Sequence, residues 1–397
     1  MILLSLCGAV IALILLVPTV SDLISAVRLA FGPRLPKAGG EAFSRLLILV
    51  PAHNEEALIA SCIASLRAQR YPPEHYAIHV IADNCTDNTA ALARAAGAHC
   101  LERHDLTQRG KPHAIAWALE RLPIADFDAL VIVDADAVVD PGFAAGIAAA
   151  APLRAQIVQG YNDVHNRTDN AITRMAAVLS AANHRFAFGL KTRVGLNVPL
   201  GTGVAVGTDV LAAHGWKAFS IGEDWELYAL MTERGVRTRS APAARIFAEE
   251  ARSLRQSASQ RHRWAAGKLT VLFRYAWRLL RSPHIGAPQK LDVLAELLGP
   301  GPAVHLGLVA VMSAALLLTH APGAVWVTAA LAASLVRPAV YTLIALTRDP
   351  EPGRAALAFG FLPFYTLWRL GVQVTALRML GDKPWVRTER NPLAKVR

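Results

Sequence analysis

Residues 2–20, ILLSLCGAVIALILLVPTV, carry no charge, and the first charged side chain after them is Asp22. A helix across a bilayer needs about 20 apolar residues, so this run predicts a membrane helix over 1–24. A secretory signal peptide would add a basic leader and a small-residue cleavage site. The run shows neither, which favours a retained helix. Beyond it the pattern changes. RLLILVPAHNE, AIHVIADNCTDNT and ALVIVDADA are near-continuous apolar runs that end in polar clusters. Between them EALIASCIASLRAQ, TAALARAAG and KPHAIAWALERL have helical spacing. Strands apolar on both faces belong to a parallel sheet covered by helices, so residues 43–250 predict an α/β domain. In such sheets the ligand lies beyond the carboxyl ends of the strands, where AHNE, ADNCTD and DAD fall. Apolar runs return at 302–319, 323–346 and 355–378 within a predicted membrane region, 301–380.

Charge sharpens this division. The 397 residues carry a formal +11, and nine Lys/Arg with no Asp/Glu fall between Arg252 and Lys290. Aromatic and apolar residues interleave there, so 251–300 reads as an amphipathic segment lying on an anionic leaflet rather than as a nucleic-acid surface. Arg28, Arg34, Lys37 and Arg45 after the first helix, and the basic tail 381–397, place the α/β domain and the tail in the cytoplasm, because basic loops stay inside. That requires an even number of spans after the domain. Pro363 and Arg369 make the third late segment a candidate re-entrant or interfacial element; insertion of part of 284–301 is the other solution. Cys7, Cys62, Cys85 and Cys100 form no CxxC pair or metal-ligand spacing, and read as reduced thiols.

The chemistry concentrates in a few acids and cations. If the strand pattern continues through DAD, Asp134 and Asp136 point to the same side. Two hard oxygen donors suit Mg²⁺ or Mn²⁺, which keep waters and accept phosphate oxygens. Asp140 precedes Pro141 and reads as a helix cap. Asp83 ends a strand, with Thr86 as a candidate N-cap for the next helix. Lys111 begins a helix, where the macrodipole disfavours a cation, so phosphate binding explains it better. Glu223 and Asp224 open the run DWELYALMTERG that Gly235 ends, and GTGVAVG precedes them. In QRHRW, Arg263 can clamp a diphosphate and Trp264 can stack on a sugar ring. A strand followed by DADAV also matches the nucleophile motif of haloacid-dehalogenase-type phosphatases. That motif belongs on the first strand of its domain, and here the strand is about the third.

The order PAHNE, ADNCTD, GK, DAD, GTG, GED, QRHRW, between an N-terminal membrane helix and C-terminal ones, resembles the membrane-bound family 2 glycosyltransferases. These include cellulose, chitin and poly-N-acetylglucosamine synthases and ceramide glucosyltransferase. The resemblance implies a GT-A fold with a mixed, mostly parallel sheet. It implies that Pro51, Asn54, Glu55 and Asp83 shape the nucleotide pocket, with Lys111 and Glu223 near the nucleotide and diphosphate. Asp136 and Asp134 would hold the metal, Asp136 more closely, and Asp224 would be the general base. Gln260, Arg263 and Trp264 would bind the diphosphate and line the acceptor end. The implied partners are a nucleotide-sugar donor, a lipid or glycan acceptor and the bacterial inner membrane. His53 departs from the family's usual Tyr, and the membrane part is small for a polymer-export channel. A membrane scaffold without catalysis would not need the matched acids, all of which are present.

Overall fold

The computed structural model describes residues 1–31 and 43–376. The basic tail 381–397, Arg34 and Lys37 lie outside the described residues. The chain divides into two compact units. One holds residues 43–166 and 197–250; the other holds 1–31, 167–196 and 251–376. Residues 167–196 had no hydropathy signal separating them from the α/β domain, yet they fold with the helical unit.

The first unit is built on an eight-stranded sheet. Its strands are β1 (Leu46–Ala52), β2 (Tyr76–Asp83), β3 (His99–Arg103), β4 (Ala129–Ile132), β5 (Ala137–Val139), β6 (Gln156–Val164), β7 (Val204–Gly207) and β8 (Arg237–Ala248). Their spatial order is β3-β2-β1-β4-β7-β6-β8-β5. Pairing is parallel across β3, β2, β1 and β4 and between β6 and β8. β7 is antiparallel to β4 and β6, and β5 to β8. The sheet is therefore mixed. β3 escapes the hydropathy reading because His99, Glu102 and Arg103 break its apolar run, as suits an edge strand. DAD consequently follows the fourth strand, not the third.

Leu46, Leu47, Ile48, Leu49 and Val50 are all completely buried, because both faces of β1 are covered. Leu46, Ile48 and Val50 join Ile59, Ile63 and Leu66 of the helix Ile59–Arg67, with Phe143 and Ile147, in one core. Each such side chain contributes about 1.5–3 kcal/mol by leaving water. Pro51 is tolerated inside β1 because the pairing with β4 has ended at Leu49↔Ile132, so its missing N–H removes no ladder bond on that side.

In the helical unit, Ile2–Phe31, Ala324–Thr347 and Pro352–Ala376 are long and apolar enough to cross a membrane. Ala287–Leu298 and Pro302–Leu318, bent by 78°, would make a fourth span if taken together. Lys191 is fully buried, its Nζ 2.9 Å from Asp292 Oδ2 and 2.7 Å from Glu296 Oε1. Arg337 Nε lies 2.8 Å from Asp22 Oδ2 and its Nη2 lies 3.5 Å from Glu296. Buried charges require such partners, since unpaired they would cost several kcal/mol each.

Candidate functional site

The acids of DAD owe their placement to the end of β4. Val133 N donates to Leu49 O at 3.0 Å, and the chain turns with Ala137 N donating to Asp134 O at 3.0 Å. Val133, Ala135 and Ala137 are buried, while Asp134 and Asp136 are partly exposed; β4 ends at Ile132, so the acids stand in the turn between β4 and β5 rather than on the strand. Asp140 is used otherwise: its Oδ1 accepts from Gly142 N at 2.8 Å, ahead of the helix Phe143–Ala148. GTG fastens the acidic turn. Thr202 Oγ1 accepts from Asp134 N at 3.0 Å, and Gly203 N donates to Ile132 O at 2.8 Å. Gly203 has φ +74°, a left-handed conformation that only glycine adopts without strain. Gln159 clamps the same loop, accepting from Gly201 N at 2.8 Å and donating to Thr202 O at 2.9 Å.

Lys111 links this turn to the second acidic motif. It opens the helix Lys111–Leu119, and its Nζ lies 2.9 Å from Asp134 Oδ1 and 3.2 Å from Glu223 Oε1. Glu223 and Asp224 open the helix Glu223–Glu233, which Gly235 follows in a left-handed conformation. The buried Glu226 Oε2 accepts from Phe219 N at 2.8 Å and Ser220 N at 2.7 Å, holding the approach to this helix. Burial alone would lower the Lys111 ammonium, but Asp134, Asp224 and Glu223 together hold it well above its ordinary value. Asp224 moves the other way for a carboxylate. Burial pushes it up to about 7; Lys111 opposes this, and Glu223 and Asp134 add to it. A carboxyl poised near neutral pH, grouped with Lys111 and Asp134 past the carboxyl end of β4, is suited to accept a proton.

The ends of β1 and β2 form a second, hydrogen-bonded region. Asn54 has φ +55°, and its Oδ1 accepts from Thr86 N at 2.7 Å. Glu55 N donates to Thr89 Oγ1 at 2.8 Å, and His53 Nδ1 lies 2.7 Å from Asp83 O. Thr86 is therefore not the N-cap: the helix is Thr89–Ala95 with Asn88 at that position, because Thr86 is bound to Asn54. Asp83 is buried, its Oδ1 2.7 Å from Arg103 Nη1 and 3.0 Å from Asn84 Nδ2. Arg103 Nη2 reaches Asp105 Oδ2 at 2.9 Å and Gln108 O at 2.7 Å. Sequence reading missed Arg103, since a lone arginine on a polar strand carries no local signal. Arg103→Met is expected to cost about 3–5 kcal/mol, because it strands the Asp83 carboxylate in the interior. A melting temperature unchanged from the parent would contradict that pairing.

A cavity of about 410 Å³ beside the helix Lys111–Leu119 is lined by Arg103, Asp105, Gln108, His113, Trp117 and Phe219. The His113 and Phe219 rings stack at 4.9 Å. Sequence reading missed this wall too, as its members come from three separate stretches. Gln260, Arg263 and Trp264 share the helix Leu254–Arg281 of the helical unit, where Ser253 Oγ caps Gln256 N. Trp264 is half exposed, and the Arg261 guanidinium lies 4.7 Å from its ring centre. The cluster of Lys111, Asp134, Glu223 and Asp224 is formed within the sheet unit.

Among the described residues no three His, Cys, Asp or Glu side chains converge as a metal cage. A divalent ion on Asp134 and Asp136 would take its protein oxygens from that pair and fill its shell with water and phosphate oxygens. Mg²⁺ and Mn²⁺ accept such a shell, so the donor set fits them.

Comparison with known proteins gives a family and a fold. The family described as Glycosyltransferase like family 2 matches residues 44–267, from the start of β1 to beyond QRHRW. The chain is 23% identical over 245 residues to the probable glycosyltransferase YdaM of Bacillus subtilis, covering 58% of this chain and 57% of that protein. The chain thus spans little more than half the length of that curated relative. Among solved structures it resembles the mannosyltransferase PcManGT from Pyrobaculum calidifontis, solved in complex with GDP-Man and Mn²⁺. That match has a TM-score of 0.57 and 20% identity, and covers 94% of this chain and 98% of the other. The mixed sheet is that of a GT-A fold, and with more than half of its length matched the chain belongs to glycosyltransferase-like family 2.

Proposed function

We propose that this protein is a membrane-bound, inverting glycosyltransferase that moves a hexose from a nucleotide-diphospho-sugar to a lipid-linked or polysaccharide acceptor. The observation that carries the reading is Asp224, a carboxyl raised to about 7 and grouped with Lys111, Glu223 and Asp134 past the carboxyl end of β4. Asp224 takes the proton of the acceptor hydroxyl. The hydroxyl oxygen bonds to the anomeric carbon, and the bond from that carbon to the diphosphate breaks with its electron pair leaving on the nucleoside diphosphate. Lys111 and Arg263 meet the charge that develops there, and preorganised cations are worth most where charge grows. Pro51, Asn54, Glu55 and Asp83 shape the nucleotide end, and Glu223 holds Lys111. Gln260 and Trp264 line the acceptor end. Mg²⁺ or Mn²⁺, held by Asp136 and Asp134, would supply Lewis-acid neutralisation of the diphosphate.

Three apolar helices and the basic helix Leu254–Arg281 support a place in the bacterial inner membrane, with the catalytic domain cytoplasmic. So small a membrane part favours a lipid acceptor or a single addition over polymer export. The motif order supports a UDP-sugar. Likeness along nearly the whole chain to a protein solved with GDP-Man supports GDP-mannose as the second donor.

The test is incubation of membranes containing the protein with a panel of UDP- and GDP-sugars and Mg²⁺ or Mn²⁺, followed by lipid extraction and mass analysis. One donor should yield a product heavier by one hexose, and EDTA should abolish it. Transfer that continues in metal-free buffer would overturn the role given to Asp134 and Asp136. No product from any donor, lipid or polymer, would overturn the reading.

A further inference from the structure

The helical unit contains its own depth scale. Ser5 Oγ donates to Pro322 O at 2.8 Å, and Arg337 pairs with Asp22. The helix Ile2–Phe31 therefore runs beside Ala324–Thr347 in the same direction. From Ser5 to Asp22 is 17 residues, about 26 Å of helix, close to the roughly 30 Å of a hydrocarbon core. Pro302–Leu318 returns between the same two levels: Gly8 lies against Leu316 and Val327, and Pro18 lies against Gly299. One level is apolar apart from the Pro322 turn. The other holds Asp22, Arg337, Glu296 and Lys191, and the Gly299 carbonyl that accepts from Lys268 Nζ at 2.6 Å.

Pro352–Ala376 does not follow that scale. It begins beyond the polar level, fourteen residues after Arg337, where Arg174 Nη1 holds Glu351 Oε2 at 2.7 Å and Arg167 pairs with Asp349. Its far end returns to charged company, with Thr375 Oγ1 2.5 Å from His262 Nε2. Arg261 and Arg263 flank His262, and Lys268 on the same helix reaches Gly299. His262 is six residues, about 9 Å of helix, from Lys268. A crossing helix would carry Thr375 about 35 Å from Glu351, to the opposite face. It would also draw Arg261 and Arg263 into hydrocarbon, at about 2.5–3.5 kcal/mol each. The exposed side of its second half is apolar, with Phe364, Leu367 and Val374 each more than three-fifths exposed.

Resting on the membrane reading above, we infer that Pro352–Ala376 lies in the membrane interface beside the basic helix, its Phe364–Leu367–Val374 stripe in lipid. Among the described residues the chain then crosses three times, through Ile2–Phe31, Pro302–Leu318 and Ala324–Thr347. This leaves Ala376 on the side of Arg28, and two crossings after the catalytic domain satisfy the even number that the charge pattern demands.

The test is spin-label depth in the full chain in liposomes. Cys7, Cys85 and Cys100 are replaced by serine; Cys62 is buried, and burial keeps its thiol protonated. Single labels at Phe364, Leu367 and Val374 are compared with one at Val10, using oxygen and a nickel chelate as collision partners. The three should lie within about 5 Å of one depth near the headgroups, with Val10 deep. A Val374 label about 15 Å deeper than Phe364, the rise of ten helical residues, would overturn the inference. A Val10 label at the surface would instead overturn the membrane reading, and this inference with it.

Discussion

Replacing Asp224 with asparagine is expected to lower sugar transfer by about 10²–10⁴-fold, the usual worth of general-base help, while donor binding changes only a few-fold. Asparagine keeps the shape and loses the basic oxygen pair. Near-normal transfer would remove Asp224 as the base. The parent should show an acid limb in kcat/KM at or below about pH 7, since Asp224 must be deprotonated to act: burial raises its carboxyl to about 7, and the divalent ion that transfer needs would draw it down. The same shift acts on stability. An unfolded Asp releases its proton near pH 4, whereas the folded one keeps it to about 7. Stability is therefore fully present below pH 4 and is lost as pH rises to about 7. In metal-free buffer at pH 8, Asp224→Asn should be more stable than the parent by about 1–3 kcal/mol, and the gap should vanish below pH 4. A gap independent of pH would show that the carboxyl is not perturbed.

Lys111→Met should have the second largest effect. It leaves Asp134, Glu223 and Asp224 together without the ammonium that offsets them. Like charges then disfavour ionisation, so the acid limb should move up by a unit or more. Stability at pH 8 should fall by about 1–3 kcal/mol, less than a fully buried pair would lose, because Asp134 is 37% exposed. Millimolar Mn²⁺ should then raise the melting temperature more in this variant than in the parent, because the ion replaces a missing cation. An equal rise in both would mean that lysine and metal do not share a field.

Much of this is legible in the sequence alone. Strand runs such as LLILV must be covered on both faces, and that burial specifies a parallel sheet with its ligands at the carboxyl end. The strand pattern points to Asp134 and Asp136, but β4 ends at Ile132 and a turn, not strand alternation, holds them. Asp140 is set apart by the proline that follows it. Local pattern failed where the partner was remote. Thr86 has the chemistry of a cap but is taken by Asn54, 32 residues away. Arg103 gains meaning only from Asp83, which the parallel pairing of β2 and β3 brings opposite it.

The sequence by itself determined the class of fold, the acids at the strand ends and the apolar runs, because each depends on periodicity within one element. Tertiary structure alone decided that Lys111 joins Asp134 to Glu223, that burial raises Asp224 against the pull of Lys111, and that residues 167–196 leave the sheet unit for the helices. These depend on distances between residues tens to hundreds of positions apart. Coulomb and desolvation energies follow distance in space rather than separation along the chain.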